Sequence, residues 1–227
     1  MDQLNDYKLP ITNLLSEEEV IKLNKQFDNL LHKSTAYSAK MPGCWSTNNI
    51  GTMRRVYASH KLLDYTWLLD RLKPYADDFL EDKSVFFTSR FVQEEIGFTA
   101  ASNLHQDIMY TGSTGPKRYA VFGIFLTDCS PGNAVRVLTS WVPEDNLMAG
   151  INSTLHESEL PEVQVWHSLG GKAGQVFCMS GNHIHQTPIT AYTQTRRILW
   201  LIYNAAEEGN WEKSYIQARL NNKQNEI

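Results

Sequence analysis

The sequence predicts a mainly β fold, a sandwich or barrel with helices packed at its N-terminal side. Three observations carry this. From Ser84 onward, runs rich in β-branched and aromatic residues recur, cut by clusters of Gly, Pro, Asn and Asp. Before that point, two stretches carry apolar residues at helical spacing. The 227 residues are 42% hydrophobic and 20% charged, enough to bury a sizeable core and too apolar for disorder. No Gly/Ser/Pro-rich linker divides the chain, so 1–227 is expected to be a single domain. Within it, 1–82 form a mostly helical buttress, 83–204 the β core and 205–227 a peripheral tail.

The first helix starts at Ser16, a good N-cap, with Glu19 completing a capping box. Val20, Leu23, Phe27, Leu30 and Leu31 then form one apolar stripe. A second helix is expected from about Lys61 to Leu72, interrupted by Pro74, with a shorter piece over Ala76–Leu80. Strands are expected over Ser84–Gln93, Tyr119–Thr127, Val135–Trp141, Val163–Trp166, Gln175–Met179 and Arg197–Tyr203. The polar tail after Ala205 reads as a peripheral helix or a loose end.

Charge and cysteine usage exclude several classes. A formal charge of −4 argues against a nucleic-acid binder. There is no run of 18 apolar residues for a membrane span, and the start MDQLNDYKLP has no signal-peptide pattern. Cys44, Cys129 and Cys178 are odd in number and scattered, so neither a disulfide framework nor a thiolate zinc site is expected. They read as buried small hydrophobes in a soluble, reduced, cytoplasmic protein.

Candidate chemistry begins at His105-Gln106-Asp107. In an extended segment, residues two apart share a face, so an imidazole and a carboxylate converge. Two ligands do not hold a metal, and a third is needed. His183 and His185, again two apart, offer it from the C-terminal part. Arg196 then enters a strongly apolar strand, where a guanidinium calls for an anion, and a carboxylate fits it through two parallel hydrogen bonds. Two histidines and one carboxylate on one face of iron(II), with positions left open, is the pattern of non-haem oxygenases. Arg197 alternates with Arg196 and should face the other way. Arg54 and Arg55 read as a solvated pair, and Trp45 and Trp141 as loop residues.

The chain resembles the phytanoyl-CoA hydroxylase-like branch of the Fe(II)/2-oxoglutarate-dependent dioxygenases. YKLPITNLLSEEEVIKL is similar to that family's opening strand, turn and capped helix. NLHQDIMY resembles its metal segment, including an aromatic residue, Tyr110, three positions after the aspartate. YAVFGIFLTDCSPGNAVRVLTSW resembles the following strand and turn, and AGQVFCMSGNHIHQTP its glycine-to-histidine segment. The family's last ligand falls about eleven residues after the glycine and about eleven before the arginine. Gly174, His185 and Arg196 match that spacing, and His183 does not.

The resemblance implies a double-stranded β-helix, or jelly roll, in which His105, Asp107 and His185 hold Fe(II). Arg196 would bind the distal carboxylate of 2-oxoglutarate, and Gln93 and Tyr110 are further candidates to touch that co-substrate. Dioxygen is the oxidant and ascorbate a candidate reductant. The implied reaction is oxidation of a small molecule such as an amino acid derivative or natural-product intermediate. Hydroxylation is the default, and desaturation or ring closure use the same residues. Asp107 argues against halogenation, because related halogenases carry Ala or Gly there. Leu138-Thr139-Ser140-Trp141 departs from the family's Gly-Ser-His turn, so no substrate is carried over. Two alternatives stand beside this reading: a cupin-like metal enzyme that does not use 2-oxoglutarate, and a non-catalytic jelly-roll binding module.

Overall fold

In a computed structural model of the protein, the described residues are 7–11, 14–36, 44–50, 53–58, 64–94, 104–107, 115–143, 155–187 and 194–215. Among the described residues, ten strands and two α-helices follow in order: β1 (Tyr7–Ile11), α1 (Glu17–Ala36), β2 (Cys44–Ile50), β3 (Met53–Ala58), α2 (Thr66–Leu80), β4 (Ser84–Glu94), β5 (Tyr119–Phe125), β6 (Val135–Leu138), β7 (Trp166–Leu169), β8 (Val176–Ser180), β9 (His185–Gln186) and β10 (Arg196–Ala205). A seven-stranded sheet has the order β1-β8-β5-β10-β4-β3-β2, and a three-stranded sheet the order β7-β6-β9. Every pairing is antiparallel. A bridge between His105 and His185 adds the His105 segment beside β9. Along the chain, β4, β5, β8 and β10 fall in the large sheet, while the His105 segment, β6, β7 and β9 fall in the small one. That alternation is a double-stranded β-helix.

The large sheet is apolar on both faces, which explains the nearly continuous hydrophobic runs of β5 and β10. Its outer face supplies Phe91, Phe122, Ile124, Leu199, Leu201 and Tyr203 to a core shared with Leu23 and Phe27 of α1 and Leu68, Leu72 and Ala76 of α2. Its inner face supplies Val92, Val121, Phe125, Phe177, Ile198 and Trp200, which meet Val135 and Val137 of the small sheet. Gly123 makes one of these contacts achievable. The Phe177 ring lies over it and meets Trp200 edge-on at 5.3 Å, and a Cβ on Gly123 would fall 2.1 Å from Phe177 Cζ.

The N-terminus of α1 is capped as expected. The Glu19 amide donates to Ser16 Oγ at 3.2 Å, and the Ser16 amide donates to the Glu19 carboxylate at 2.9 Å. Arg71 of α2 donates to both oxygens of the same carboxylate, joining the two helices. Two buried tyrosines in this core are anchored too: the Tyr203 hydroxyl donates to the Leu69 carbonyl, and the Tyr65 hydroxyl, just before α2, is hydrogen-bonded to the Ser89 hydroxyl.

Several expectations are corrected. Pro74 does not break the second helix, which continues to Leu80. Leu68, Leu69, Leu72, Ala76 and Leu80 bury one face on both sides of the proline, and that burial offsets the ~3 kcal/mol that its lost hydrogen bond and ring clash cost together. Leu62 and Leu63 lie outside the described residues. β2 and β3 were not expected and widen the large sheet. The strand expected over Val163–Trp166 runs instead over Trp166–Leu169, leaving Val163 and Val165 exposed. The tail docks as far as it is described, with the Tyr215 ring 4.9 Å from Phe87. No described helix is long and apolar enough to cross a membrane.

Gly123→Ala should lower unfolding free energy by about 1–3 kcal/mol, because the Phe177 ring must shift within a filled core. Urea unfolding followed by tryptophan fluorescence measures this, with the midpoint moving down.

Candidate metal centre

His105 and His185 come from segments 80 positions apart in the chain and meet through their backbones. The His105 amide donates to the His185 carbonyl at 3.1 Å, and the His185 amide donates back at 2.9 Å. β9 is fixed on its other side by β6, where Val137 lies opposite His185. Ile184, between the two late histidines, is buried with Leu104, Leu138 and Leu155 and anchors the segment from below. Gln106 points away from its neighbours and donates to the Asn182 carbonyl at 2.8 Å, tying the metal segment to the turn before β9.

This places the imidazoles 4.1 Å apart by ring centroid. One donor atom each from His105, Asp107 and His185 lies within 4.8 Å of the others. His185 Nδ1 lies 3.0 Å from the His183 carbonyl, so its N–H is engaged there. Nε2, with its lone pair, faces Asp107 Oδ2 at 3.9 Å. Burial lowers the His185 pKa, against the opposing pull of Asp107, and so favours the neutral ligand form. Burial alone would raise the Asp107 carboxyl. Arg90, His185 and His105 outweigh it and hold the group below the usual carboxylate range. Arg90 lies 3.4 Å from Oδ1, while Oδ2 is buried and accepts no hydrogen bond. A buried carboxylate oxygen without a hydrogen bond, beside two imidazoles, fits a divalent cation, and a single carboxylate with two nitrogens suits iron(II).

The remaining candidates divide by strand face. Arg90, Val92 and Glu94 share the inner face of β4, and Arg196, Ile198 and Trp200 that of β10. Arg196 is buried and pairs with Glu94, directly opposite it, while its Nη1 donates to the Asn133 carbonyl at 2.9 Å. Gln93 is corrected: it lies on the outer face, where its Oε1 accepts from Arg197 Nε at 2.7 Å. Arg197 also reaches Asp28 at 2.6 Å and Asn24 at 3.1 Å, and stacks over Phe27, so it fastens α1 to the sheet as its alternation with Arg196 implies. Tyr110 lies outside the described residues, as do the side chains of Trp45, Cys44, Arg54 and Arg55. Trp141 packs partly buried near Ile184.

His183 contributes differently from a ligand. Its Nδ1 accepts the Ser180 amide at 3.2 Å, closing the turn, and its carbonyl orients His185. Sequence reasoning missed this backbone role and missed Glu94 as a neighbour of the site; Arg90 stands out in the sequence beside Gln93, on the strand before the His105 segment, but with no partner assigned. The partner of a cross-strand residue follows from register alone, which no local pattern encodes.

No protein-family model and no curated protein matches the chain. Solved structures do. EctD from S. alaskensis with 2-oxoglutarate and 5-hydroxyectoine superposes with a TM-score of 0.69 at 22% identity, covering 89% of this chain and 73% of that one. The epimerase SnoN, in complex with Fe3+, alpha ketoglutarate and nogalamycin RO, gives 0.65 at 11%, covering 90% and 81%. EvdO2 from Micromonospora carbonacea var. aurantiaca, complexed with 2-oxoglutarate, gives 0.63 at 16%, covering 90% and 88%. At these identities the likeness establishes the fold.

Two measurements follow from the geometry. Mn(II) or Fe(II) should bind at one ion per chain by equilibrium dialysis, and His185→Ala should abolish stoichiometric binding while the protein stays folded. Burial, reinforced by the nearby His185, lowers the His183 pKa to about 4. The unfolded chain therefore takes up this proton first as pH falls below about 6.5. Metal-free protein should lose stability on the order of 1 kcal/mol per pH unit from this group as pH drops from about 6.5 to about 4. His183→Gln should flatten that part of the pH dependence in urea titrations.

Proposed function

We propose that the protein is an Fe(II)- and 2-oxoglutarate-dependent oxygenase, built as one domain. It oxidises a C–H bond of a small molecule, by hydroxylation in the default case, and releases succinate and carbon dioxide. The observation that carries this is the His105–Asp107–His185 donor set, with Asp107 and His185 buried and one carboxylate oxygen unsatisfied, in a double-stranded β-helix. Bound iron and 2-oxoglutarate, with dioxygen, would supply the oxidising power for an unactivated C–H bond.

The protein's own part is to bind, orient and keep water away. His105, Asp107 and His185 would hold the metal, and the His183 carbonyl keeps the His185 ring turned with Nε2 inward. Arg196 would take the distal carboxylate of the co-substrate, because it is the buried guanidinium on the inner face of β10. It is joined to Asn133, on the same run of chain as Val137 opposite His185. Tyr110, three positions after Asp107, is assigned to the co-substrate side of the site. Phe125, Phe177, Ile198 and Trp200 give the barrel apolar walls that exclude water.

The small-molecule ligands carried by the similar EctD and SnoN structures support a small substrate over a protein. An amino acid derivative or natural-product intermediate is the class assigned here. The free, buried thiols of Cys129 and Cys178 suit a reducing compartment, which supports a cytoplasmic location.

Incubation with Fe(II), ascorbate and 2-oxoglutarate should release succinate, accelerated by the true substrate. His105→Ala should release none. Arg196→Leu should raise the 2-oxoglutarate concentration for half-maximal rate by about tenfold or more, the loss of a charge-assisted pair. An unchanged requirement would place the co-substrate anchor elsewhere.

A further inference from the structure

The guanidinium assigned to the co-substrate already carries a carboxylate. Glu94 sits directly across from Arg196 on the neighbouring strand, and both side chains are buried, at 3% and 4% exposure. One oxygen of Glu94, Oε2, accepts from Nε and lies against Nη2 of Arg196, and so occupies the edge that a carboxylate takes when it binds an arginine side-on. The Asn133 carbonyl accepts from Nη1, and the Cys129 thiol lies against the same guanidinium. The pair is electrically balanced as it stands.

We propose that Glu94 is a built-in competitor of the co-substrate's distal carboxylate, and so limits how strongly the enzyme selects a dicarboxylic 2-oxo acid. This rests on the assignment of Arg196 to 2-oxoglutarate. An incoming carboxylate must either displace Glu94 from the guanidinium or share it. Displacement leaves a buried carboxylate to be satisfied elsewhere, and sharing sets two like charges around one cation. Both routes weaken binding of the distal carboxylate. Neither affects a 2-oxo acid whose far end is neutral. Glu94 is thus a specificity-determining residue, acting on the far end of the co-substrate and not on the metal.

The test is calorimetric titration of Mn(II)-loaded protein with 2-oxoglutarate and with 2-oxopentanoate, which has the same chain length and a methyl in place of the distal carboxylate. In the wild type the preference for 2-oxoglutarate should be only a few-fold. Glu94→Gln should tighten 2-oxoglutarate by about tenfold while leaving 2-oxopentanoate and Mn(II) affinity unchanged. Glu94→Ala should act in the same direction, which covers the case in which the amide variant folds poorly. Equal 2-oxoglutarate affinity in wild type and variants, or a parallel change for both acids, would overturn the competitor role alone. Mn(II)-loaded wild type and variants that all fail to bind 2-oxoglutarate would overturn the co-substrate reading, and the proposal with it.

Discussion

The two backbone hydrogen bonds exchanged by His105 and His185 bring the candidate metal ligands together. Each histidine alone stands on a short piece of chain, and β9 is only two residues long. Their mutual bridge sets the rings side by side, and period-two geometry then brings Asp107 to the face that His105 occupies. Everything around the bridge serves to hold it. β6 pairs with β9 from the other side, Ile184 is packed beneath, and Gln106 ties the first segment to the turn that leads into the second. A site whose ligands must sit within a few tenths of an ångström needs such support from the elements behind it.

The large sheet separates structure from chemistry by its two faces. Outward, Phe91, Leu199 and Tyr203 pack under the helices, and Arg197 with Gln93 clamps α1. Inward, the same strands present Arg90, Glu94 and Arg196 among apolar side chains. The charges on the inner face are balanced in pairs: Arg90 with Asp107, Arg196 with Glu94. Buried pairs of this kind add little net stability, because desolvation offsets attraction. Their value here is that they fix where charge stands before any ligand arrives.

Much of this was legible from the residues. The Ser16–Glu19 capping box announced α1, and the uninterrupted apolar runs of β5 and β10 announced strands buried on both faces. His105, Asp107 and His185 could be grouped because metal ligation imposes residue types and spacing. What stayed hidden depends on register or on tertiary burial. β2 and β3 read as polar, mixed sequence without alternation; they form a hairpin that β3 joins to β4, a pairing with no local signature. Pro74 looked like a break because its local cost is visible and the packing that offsets it is not. Gln93 was a co-substrate candidate only through the family resemblance; which face of β4 it takes depends on burial on both sides of the sheet, and alternation alone does not show that. The Glu94–Arg196 pair joins residues 102 positions apart and has no local signature.

The central claim is that one buried metal ion and a 2-oxo acid share this barrel. Anaerobic addition of Fe(II), followed by 2-oxoglutarate, tests it most directly through the visible charge-transfer absorption of a chelated iron–2-oxo acid complex. The account predicts a band that saturates at one iron and one 2-oxoglutarate per chain. A protein that binds iron without developing the band on adding 2-oxoglutarate, or that binds no iron, would contradict it.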